Sequence, residues 1–299
     1  MISPPRLNQG DIIGIVSPAK KIDEALVLNG VEIIRKLGYR VKLGKHVLAT
    51  DNYFAGTDRQ RSSDFQTMLD DPEVKMILCS RGGYGSARII DSLDFTKFIE
   101  SPKWIAGYSD ITVFHSHLYN LGFETLHSIM PLDFRDNGEI SKPVVKLFEA
   151  ASGESPEYQL RPYKLNKQGS AQGDIIGGNL SILCSILGSD SDFDFSDKIL
   201  FIEEVGEDLY RIDRMMNTLK RFGKLQNLAG MIVGGLTGMS PGNPDFGKTA
   251  EEIILNNIEE FDFPVAFGFP AGHFAENYPI IIGRKIQIEV GGENVELRM

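Results

Sequence analysis

The sequence has only two cysteines and one tryptophan among its 299 residues, and it contains no long apolar run. Cys79 and Cys184 lie far apart in apolar surroundings, so we expect free thiols in a reducing cytoplasm. No apolar stretch approaches the roughly 20 residues that a transmembrane helix needs. The first eleven residues do not combine a basic region with an apolar core, so we expect no signal peptide.

A net positive charge is also lacking, because 41 acidic residues outnumber 31 lysines and arginines and give a formal net charge of -10. This balance argues against nucleic acid or an anionic membrane as the main partner. The histidines have no partners at metal-ligand spacing, and neither H-E-x-x-H nor paired C-x-x-C occurs. We therefore expect neither a metal ion nor a cofactor.

Short apolar runs alternate with segments of helical periodicity in the first half of the chain. This alternation predicts a parallel sheet with helices on both faces. The predicted strands lie within residues 11–19, 39–43 and 74–79 and near Trp104, and the predicted helices at 22–37, at 59–69 and from about Ser86. Because parallel sheets place their sites at the carboxyl ends of the strands, three loops should meet there: 17–19, 82–85 and 108–110.

Residues 152–172 are polar, contain glycines and prolines, and show no periodicity. They predict a linker between a domain at 1–151 and a domain at 173–299. The second domain again mixes both element types. Its predicted strands lie at 198–203, 228–234, 265–269, 280–282 and 285–290, and its predicted helices at 180–187, 210–222 and 249–260.

The stretch Trp104–Thr112 predicts a nucleophile elbow with Ser109 at its apex. An apolar strand, a glycine that permits a sharp turn, a serine and a helix start follow one another, as this geometry requires. We expect Asp110 to cap the helix, and the N–H groups of Asp110 and Gly83 to form an oxyanion hole. The last glycine of G-x-S-x-G is missing, because Ile111 stands there. A serine that only caps the helix is the alternative.

A serine nucleophile needs a base, and His273 is the best candidate among the five histidines. It follows a glycine in a loop at the end of a predicted strand, where residues often line sites. The other four are expected to lie on a helix surface, in packing or in a polar connection: His46, His115, His117 and His127.

The orienting carboxylate is expected to come from the strand at residues 198–203. Glu203 shares a face of this strand with Phe201, whereas Glu204 points to the opposite side. A solvated acidic turn is the alternative, because Glu207 and Asp208 follow closely.

Two phosphate-binding patterns are disfavoured, and a non-catalytic protein that binds a nucleotide or small ligand through the glycine loop is the alternative to an enzyme. Residues 242–249 match G-x-x-x-x-G-K-[ST], but Pro244 removes an N–H donor and Asp245 places a negative charge where phosphate would lie. The glycine loop at 82–85 fails the dinucleotide fingerprint, because Arg88 replaces its third glycine.

Several stretches together resemble the LD-carboxypeptidases, a family of serine peptidases, over almost the whole chain. They are GDIIGIVSPA at 10–19, SRGGYGSAR at 80–88, GYSD at 107–110, GGNLS at 177–181, LFIEEVGEDLYRIDR at 200–214 and GH at 272–273. The resemblance implies a triad of Ser109, Glu203 and His273, with Gly83 and Asp110 in the oxyanion hole. It also implies an α/β fold with an N-terminal flavodoxin-like parallel sheet carrying the nucleophile elbow. The C-terminal α/β domain should have a β-rich, barrel-like core, with the site between the domains and a homodimeric assembly.

The family includes muropeptide-trimming enzymes and microcin C immunity peptidases, which cleave adenylate-linked amides. The immunity peptidases resemble longer chains with an added aromatic-bearing loop over the adenylate. This chain is short between Asn179 and Glu203, and its one tryptophan is Trp104, so the resemblance favours the muropeptide branch. The implied reaction removes the terminal D-alanine from a cytoplasmic murein tetrapeptide, a small peptide substrate. Arg81 and Arg88 are candidates for binding the terminal carboxylate, with ion pairing as the alternative. Asn179 is a further candidate for substrate binding.

Overall fold

The computed structural model describes residues 1–298, which form two compact units. The first unit comprises Met1–Glu154 together with Tyr278–Ile281. The second comprises Ser155–Asn277 and the described chain from Ile282 onward. Every helix in residues 1–298 is too short or too polar to span a bilayer.

The strands are β1 (Ile12–Val16), β2 (Arg40–Leu43), β3 (Val74–Cys79), β4 (Trp104–Gly107), β5 (Thr125–His127), β6 (Glu157–Leu160), β7 (Gly169–Asn179), β8 (Ile199–Val205), β9 (Gly230–Thr237), β10 (Val265–Phe267), β11 (Ile280–Ile282), β12 (Lys285–Val290) and β13 (Val295–Arg298). The α-helices are α1 (Glu24–Lys36), α2 (Asp58–Asp70), α3 (Thr96–Glu100), α4 (Thr112–Asn120), α5 (Lys142–Ala151), α6 (Leu180–Ser185), α7 (Leu209–Arg221) and α8 (Ala250–Asn257).

The first unit contains a six-stranded sheet with the order β2-β1-β3-β4-β5-β11. The pairs from β2 to β5 are all parallel. The strand order 2-1-3-4-5 is that of flavodoxin-like folds, which confirms the predicted fold of this half. Helices cover both faces of such sheets, so their strands are apolar throughout, and every residue of β4 is buried.

Local signals explain where the first helices begin. The side chain of Asp23 accepts a hydrogen bond from the Ala25 N–H at the start of α1, and Thr57 and Gln60 form a capping box at the start of α2. Both arrangements satisfy backbone donors that have no partner within the helix. These helices hold β1 and β3 so that the loops after them lie at the same edge of the sheet.

The second unit contains a seven-stranded sheet with the order β10-β9-β8-β7-β12-β13-β6. The long strand β7 pairs antiparallel with β12 through its first half and parallel with β8 through its second half. The β-rich core expected for this half is present, but in residues 1–298 the sheet does not close into a barrel. The short edge strand β10 meets the segment before β7 through one isolated bridge, Lys167 to Val265.

Two sequence predictions differ from the structure. The segment at 152–172, predicted to be a linker, contains β6 and the start of β7. Its periodicity was hidden because β6 combines exposed charge with only partly buried apolar residues. The helix predicted from Ser86 is instead two short 3-10 turns, Ser86–Arg88 and Ile90–Ser92.

Candidate active site

Ser109 occupies a left-handed backbone conformation, with φ of 65°. Asn52 and Asp197 are the other non-glycine residues with positive φ in the described part of the chain. Ser109 starts a 3-10 turn, Ser109–Ile111, that joins β4 to α4. Because a non-glycine residue is strained in this region and such strain clusters at functional sites, the strand-turn-serine-helix arrangement matches a nucleophile elbow.

Gly107 makes the turn before Ser109 possible. Its φ is 155°, and a Cβ atom at this position would lie 2.9 Å from Cγ1 of Ile111 and 3.2 Å from Cβ of Cys79. The strand therefore reaches the turn without a side chain that would push α4 away.

Asp110 does not cap the helix, so this prediction is wrong. The cap residue of α4 is Ile111, which makes no side-chain cap bond. The Asp110 carboxylate is buried, and its Oδ2 accepts a hydrogen bond of 2.8 Å from the Ser86 N–H. Burial raises the pKa of Asp110, while the bonds from Ser86 and the nearby charge of Arg61 oppose this shift. Through this hydrogen bond, Asp110 connects the elbow to the loop after β3.

The glycine loop lies directly against Ser109. A Cβ atom at Gly82 would be 2.9 Å from Oγ of Ser109 and 3.2 Å from the backbone nitrogen of Asp110. The carbonyl oxygen of Gly82 accepts a hydrogen bond of 3.4 Å from the Lys20 N–H, in the loop after β1. The three loops expected to meet therefore do so. That the N–H groups of Gly83 and Asp110 bind an oxyanion stays a prediction.

Arg61 holds two of these loops together, a role that the sequence did not reveal. Its side chain is buried, and Nη1 donates hydrogen bonds to the carbonyl oxygens of Pro18 and Gly85. Nη2 pairs with Asp58. Burial lowers the pKa of Arg61, and Asp58 opposes this effect. The helix α2 is polar, so an arginine within it looks like a surface residue from sequence alone.

The two arginines proposed to bind substrate are engaged elsewhere in the first unit. The Arg88 guanidinium binds Asp58 through two nitrogens, with Nε at 3.0 Å from Oδ1 and Nη2 at 2.7 Å from Oδ2. Nη1 of Arg81 donates to the carbonyl oxygen of Lys21 at 3.1 Å. These contacts favour structural roles for both side chains.

The second unit brings Glu203 and His273 together. Nδ1 of His273 lies 2.7 Å from Oε2 of Glu203. The Glu203 side chain is fully buried, whereas that of His273 is 19% exposed. A buried carboxylate on Nδ1 with a partly exposed ring is the arrangement of a base and its orienting acid.

Glu204 has different partners, as strand alternation predicts. Its Oε2 accepts the Ser181 N–H at 2.7 Å, and its Oε1 accepts from Nδ2 of Asn179 at 2.9 Å. Oδ1 of Asn179 in turn caps α6 by accepting the Ile182 N–H. Burial raises the pKa of Glu204. Glu204 and Asn179 therefore stabilise the start of α6, and this role accounts for the Asn179 amide without a substrate.

A β-bulge brings the His273 loop close to Glu203. The register of β8 and β9 shifts at this point, so that Gly234 and Gly235 both face Glu203. A Cβ atom at Gly234 would lie 2.4 Å from the Ala271 carbonyl oxygen, and Gly235 donates its N–H to that oxygen at 2.9 Å. Bulges are frequent beside active sites, and the paired glycines were the sequence signal for this one.

Two other histidines have structural partners, as expected. His115 is fully buried, with Nε2 at 2.9 Å from the carbonyl oxygen of Gly107 and Nδ1 at 2.8 Å from Oγ1 of Thr125. Burial lowers the pKa of His115 to about 4, so its ring is neutral. His46 pairs with Asp64 at 2.8 Å.

The phosphate-loop match at residues 242–249 folds around its own carboxylate. Oδ1 of Asp245 accepts the Gly247 N–H at 2.8 Å, and Thr249 caps α8. In residues 1–298, no three His, Cys, Asp or Glu side chains group as metal ligands.

Comparison with known proteins agrees with the fold. Residues 13–128 match the LD-carboxypeptidase N-terminal domain, and residues 172–288 match the LD-carboxypeptidase C-terminal domain. The crystal structure of muramoyltetrapeptide carboxypeptidase from Oxalobacter formigenes superimposes with a TM-score of 0.88 at 24% identity, covering 96% of this chain and 98% of that one.

Two curated relatives span nearly the full length. The chain is 36% identical to a Bacillus subtilis protein named probable murein peptide carboxypeptidase, over 94% of this chain and 90% of that protein. It is 26% identical to the microcin C7 self-immunity protein MccF of Escherichia coli, over 96% of this chain and 93% of that protein. With both domains matched, the chain belongs to the LD-carboxypeptidase family of peptidases.

Proposed function

We propose that the protein is a serine carboxypeptidase that hydrolyses an L,D-peptide bond and releases the terminal D-alanine of a murein tetrapeptide. The observation that carries this proposal is the left-handed backbone of Ser109 at a strand-to-helix turn. A serine that only capped a helix would need no such strain. The relative named murein peptide carboxypeptidase, at 36% identity, supports the choice of substrate.

The proposed base is His273, oriented by Glu203. Because the carboxylate accepts a hydrogen bond from Nδ1–H, Nε2 is the basic nitrogen that takes the proton of the Ser109 hydroxyl. Oγ of Ser109 then attacks the carbonyl carbon of the peptide bond. The N–H groups of Gly83 and Asp110 stabilise the negative oxygen that forms.

Collapse of this intermediate breaks the peptide bond. His273 gives the proton to the leaving amino group of D-alanine, and the shortened peptide stays bound to Ser109 as an ester. The same ring then removes a proton from water, which attacks the ester carbonyl. As the ester bond breaks, the ring returns this proton to Oγ of Ser109, and the shortened peptide leaves. Glu203 stabilises the imidazolium at both stages.

We place this activity in the cytoplasm, in cell-wall recycling, and in a homodimer. Cys79 and Cys184 support the compartment, because both are free thiols. Burial raises the pKa of Cys184 to about 12, so this thiol is unreactive at neutral pH. The homodimer rests on the family resemblance.

A second candidate function is cleavage of the amide bond in a peptidyl or aminoacyl adenylate, as in microcin immunity. The identity of 26% with MccF supports it. The higher identity with the murein peptide relative and the single Trp104 favour the first candidate.

Labelling with a fluorophosphonate tests the proposed nucleophile. We expect one adduct, on the tryptic peptide that contains Ser109, and we expect murein tetrapeptide to protect against it. The Ser109→Ala variant should not be labelled. An adduct on a different serine, or none on folded protein, would contradict the proposed nucleophile.

A further inference from the structure

If the protein removes a terminal D-amino acid, as proposed above, it has to recognise a free carboxylate close to Ser109. A carboxylate taken from water into a site needs a charged or hydrogen-bonding partner. A cation of the first unit that borders the elbow and has no carboxylate of its own is therefore the expected partner.

Two of the three arginines near the elbow already have a carboxylate partner, and the third is bound to a backbone carbonyl oxygen. Arg61 and Arg88 both bind Asp58, so their charge is already balanced. Arg81 donates to the Lys21 carbonyl oxygen, and its Nε is buried without a hydrogen-bond partner in the described residues. Arg81 therefore stabilises this region through its hydrogen bond to the Lys21 backbone.

Lys20 borders the glycine loop that also lies against Ser109. A Cβ atom at Gly83 would lie 2.7 Å from Cβ and 3.3 Å from Cδ of Lys20, and 3.0 Å from the hydroxyl of Tyr53. The Lys20 N–H donates to the carbonyl oxygen of Gly82, the glycine that abuts the Ser109 hydroxyl. The Lys20 side chain and the Tyr53 hydroxyl therefore pack closely against Gly83.

The charge of Lys20 is not balanced by an acid. Its Nζ lies 5.0 Å above the ring of Tyr53 and, within residues 1–298, forms no ion pair. The backbone of Lys20 is held by a bridge to Phe54, and the Lys21 N–H donates to the carbonyl oxygen of Tyr53. The ammonium group is therefore carried on a fixed segment while its own charge stays available.

We propose that Nζ of Lys20 and the hydroxyl of Tyr53 bind the terminal carboxylate of the peptide substrate, beside the glycine loop. Gly83 has no side chain and a φ of 113°, so the backbone of the glycine loop can lie directly against Lys20 and Tyr53. Their polar ends are thereby held beside the loop that borders Ser109. Lys20 would make the protein a carboxypeptidase by favouring peptides with a free C-terminus.

The test compares two substrates that differ only at the end: murein tetrapeptide and the same peptide with a C-terminal carboxamide. The wild type should prefer the acid in kcat/KM. Lys20→Met should lower kcat/KM for the acid about 10- to 100-fold, mainly through KM, because a charged hydrogen bond is lost. It should leave kcat/KM for the carboxamide unchanged. Lys20→Arg should retain most of the preference, and Lys21→Met, the neighbouring exposed lysine, should behave as the wild type.

The possible failures can be told apart. If Lys20→Met lowers kcat/KM equally for both substrates while its melting temperature matches the wild type, Lys20 does not bind the carboxylate. The same conclusion follows if kcat/KM changes for neither substrate. Equal wild-type rates on acid and carboxamide also contradict it, and they leave the proposed function intact. If the wild type releases D-alanine from neither peptide, the proposed function fails, and the inference about Lys20 fails with it.

Discussion

Two adjacent carboxylates, Glu203 and Glu204, have different partners because successive residues of a strand point to opposite faces. Glu203 contacts His273, and Glu204 contacts the start of α6. The sequence predicted this choice from the face that Glu203 shares with Phe201. It could not show that His273, 70 residues away, would reach this face.

Replacing each carboxylate by its amide separates the two roles. Glu203→Gln should lower kcat by about 10²- to 10⁴-fold, because the ring of His273 loses the acceptor that fixes its tautomer. Glu204→Gln should keep kcat within a few-fold and lower the free energy of unfolding by about 1–3 kcal/mol, because α6 loses hydrogen bonds to a buried carboxylate. Steady-state kinetics and urea denaturation measure the two effects. The reverse pattern would show that Glu204 is the orienting acid.

Burial of His115 makes the stability of the folded protein depend on pH. Its pKa is lowered by burial to about 4, whereas an exposed histidine titrates near 6.5. As pH falls from about 6.5 to 4, His115 binds a proton in the unfolded chain but not in the folded chain. The free energy of unfolding therefore falls in this window by up to about 3 kcal/mol. Above pH 6.5 the effect is absent, because both states are neutral.

The variant His115→Gln removes this proton while keeping a polar side chain. We expect its free energy of unfolding to fall less than that of the wild type between pH 7 and pH 4.5, by about 2–3 kcal/mol. Urea denaturation at both pH values measures the difference, in which other titrating groups cancel. Equal losses in the two proteins would show that His115 is not held neutral.

At the scale of elements, the bulge between β8 and β9 sets where the His273 loop lies. Gly234→Ala should displace this loop, since the new Cβ would lie 2.4 Å from the Ala271 carbonyl oxygen. We expect kcat/KM to fall more than about 10-fold and stability to fall by about 1–3 kcal/mol. Gly230→Ala, on the same strand, is the matched control, because its Cβ would meet its nearest neighbour at 3.4 Å. Equal effects of the two substitutions would show that the bulge does not determine the position of the His273 loop.

Many elements could be predicted because buried parallel strands are apolar without interruption, and because half-exposed antiparallel strands alternate polar with apolar residues. The predicted strand at 74–79 has the same bounds as β3, and that at 285–290 the same bounds as β12. The strand β6 and the role of Asp110 could not be predicted. β6 is held by its pairing with β13 rather than by a local pattern, and Asp110 is positioned by Ser86 rather than by its own helix.

At the scale of the whole molecule, the proposed triad draws on both units. Ser109 belongs to the first unit, and Glu203 and His273 belong to the second. The first unit also includes Tyr278–Ile281, and Ile281 is buried in its core cluster. The sequence predicted the strand at 280–282 but not the sheet that it joins, because that depends on contacts across most of the chain.

A chain that ends at Glu154 should therefore be inactive and less stable than the first unit within the full protein. It lacks the proposed base, its proposed orienting acid and the edge strand β11. Chemical denaturation and an assay of D-alanine release test both parts. Release of D-alanine by this fragment would contradict the assignment of Glu203 and His273.

The most direct test of the proposed activity is D-alanine release from murein tetrapeptide by the wild type and by Ser109→Ala, with a peptidyl sulfamoyl-adenylate assayed in parallel. We predict that the wild type releases D-alanine and that Ser109→Ala is slower by at least about 10³-fold. Near-full release by Ser109→Ala, or cleavage of the adenylate analogue without release of D-alanine, would contradict the account.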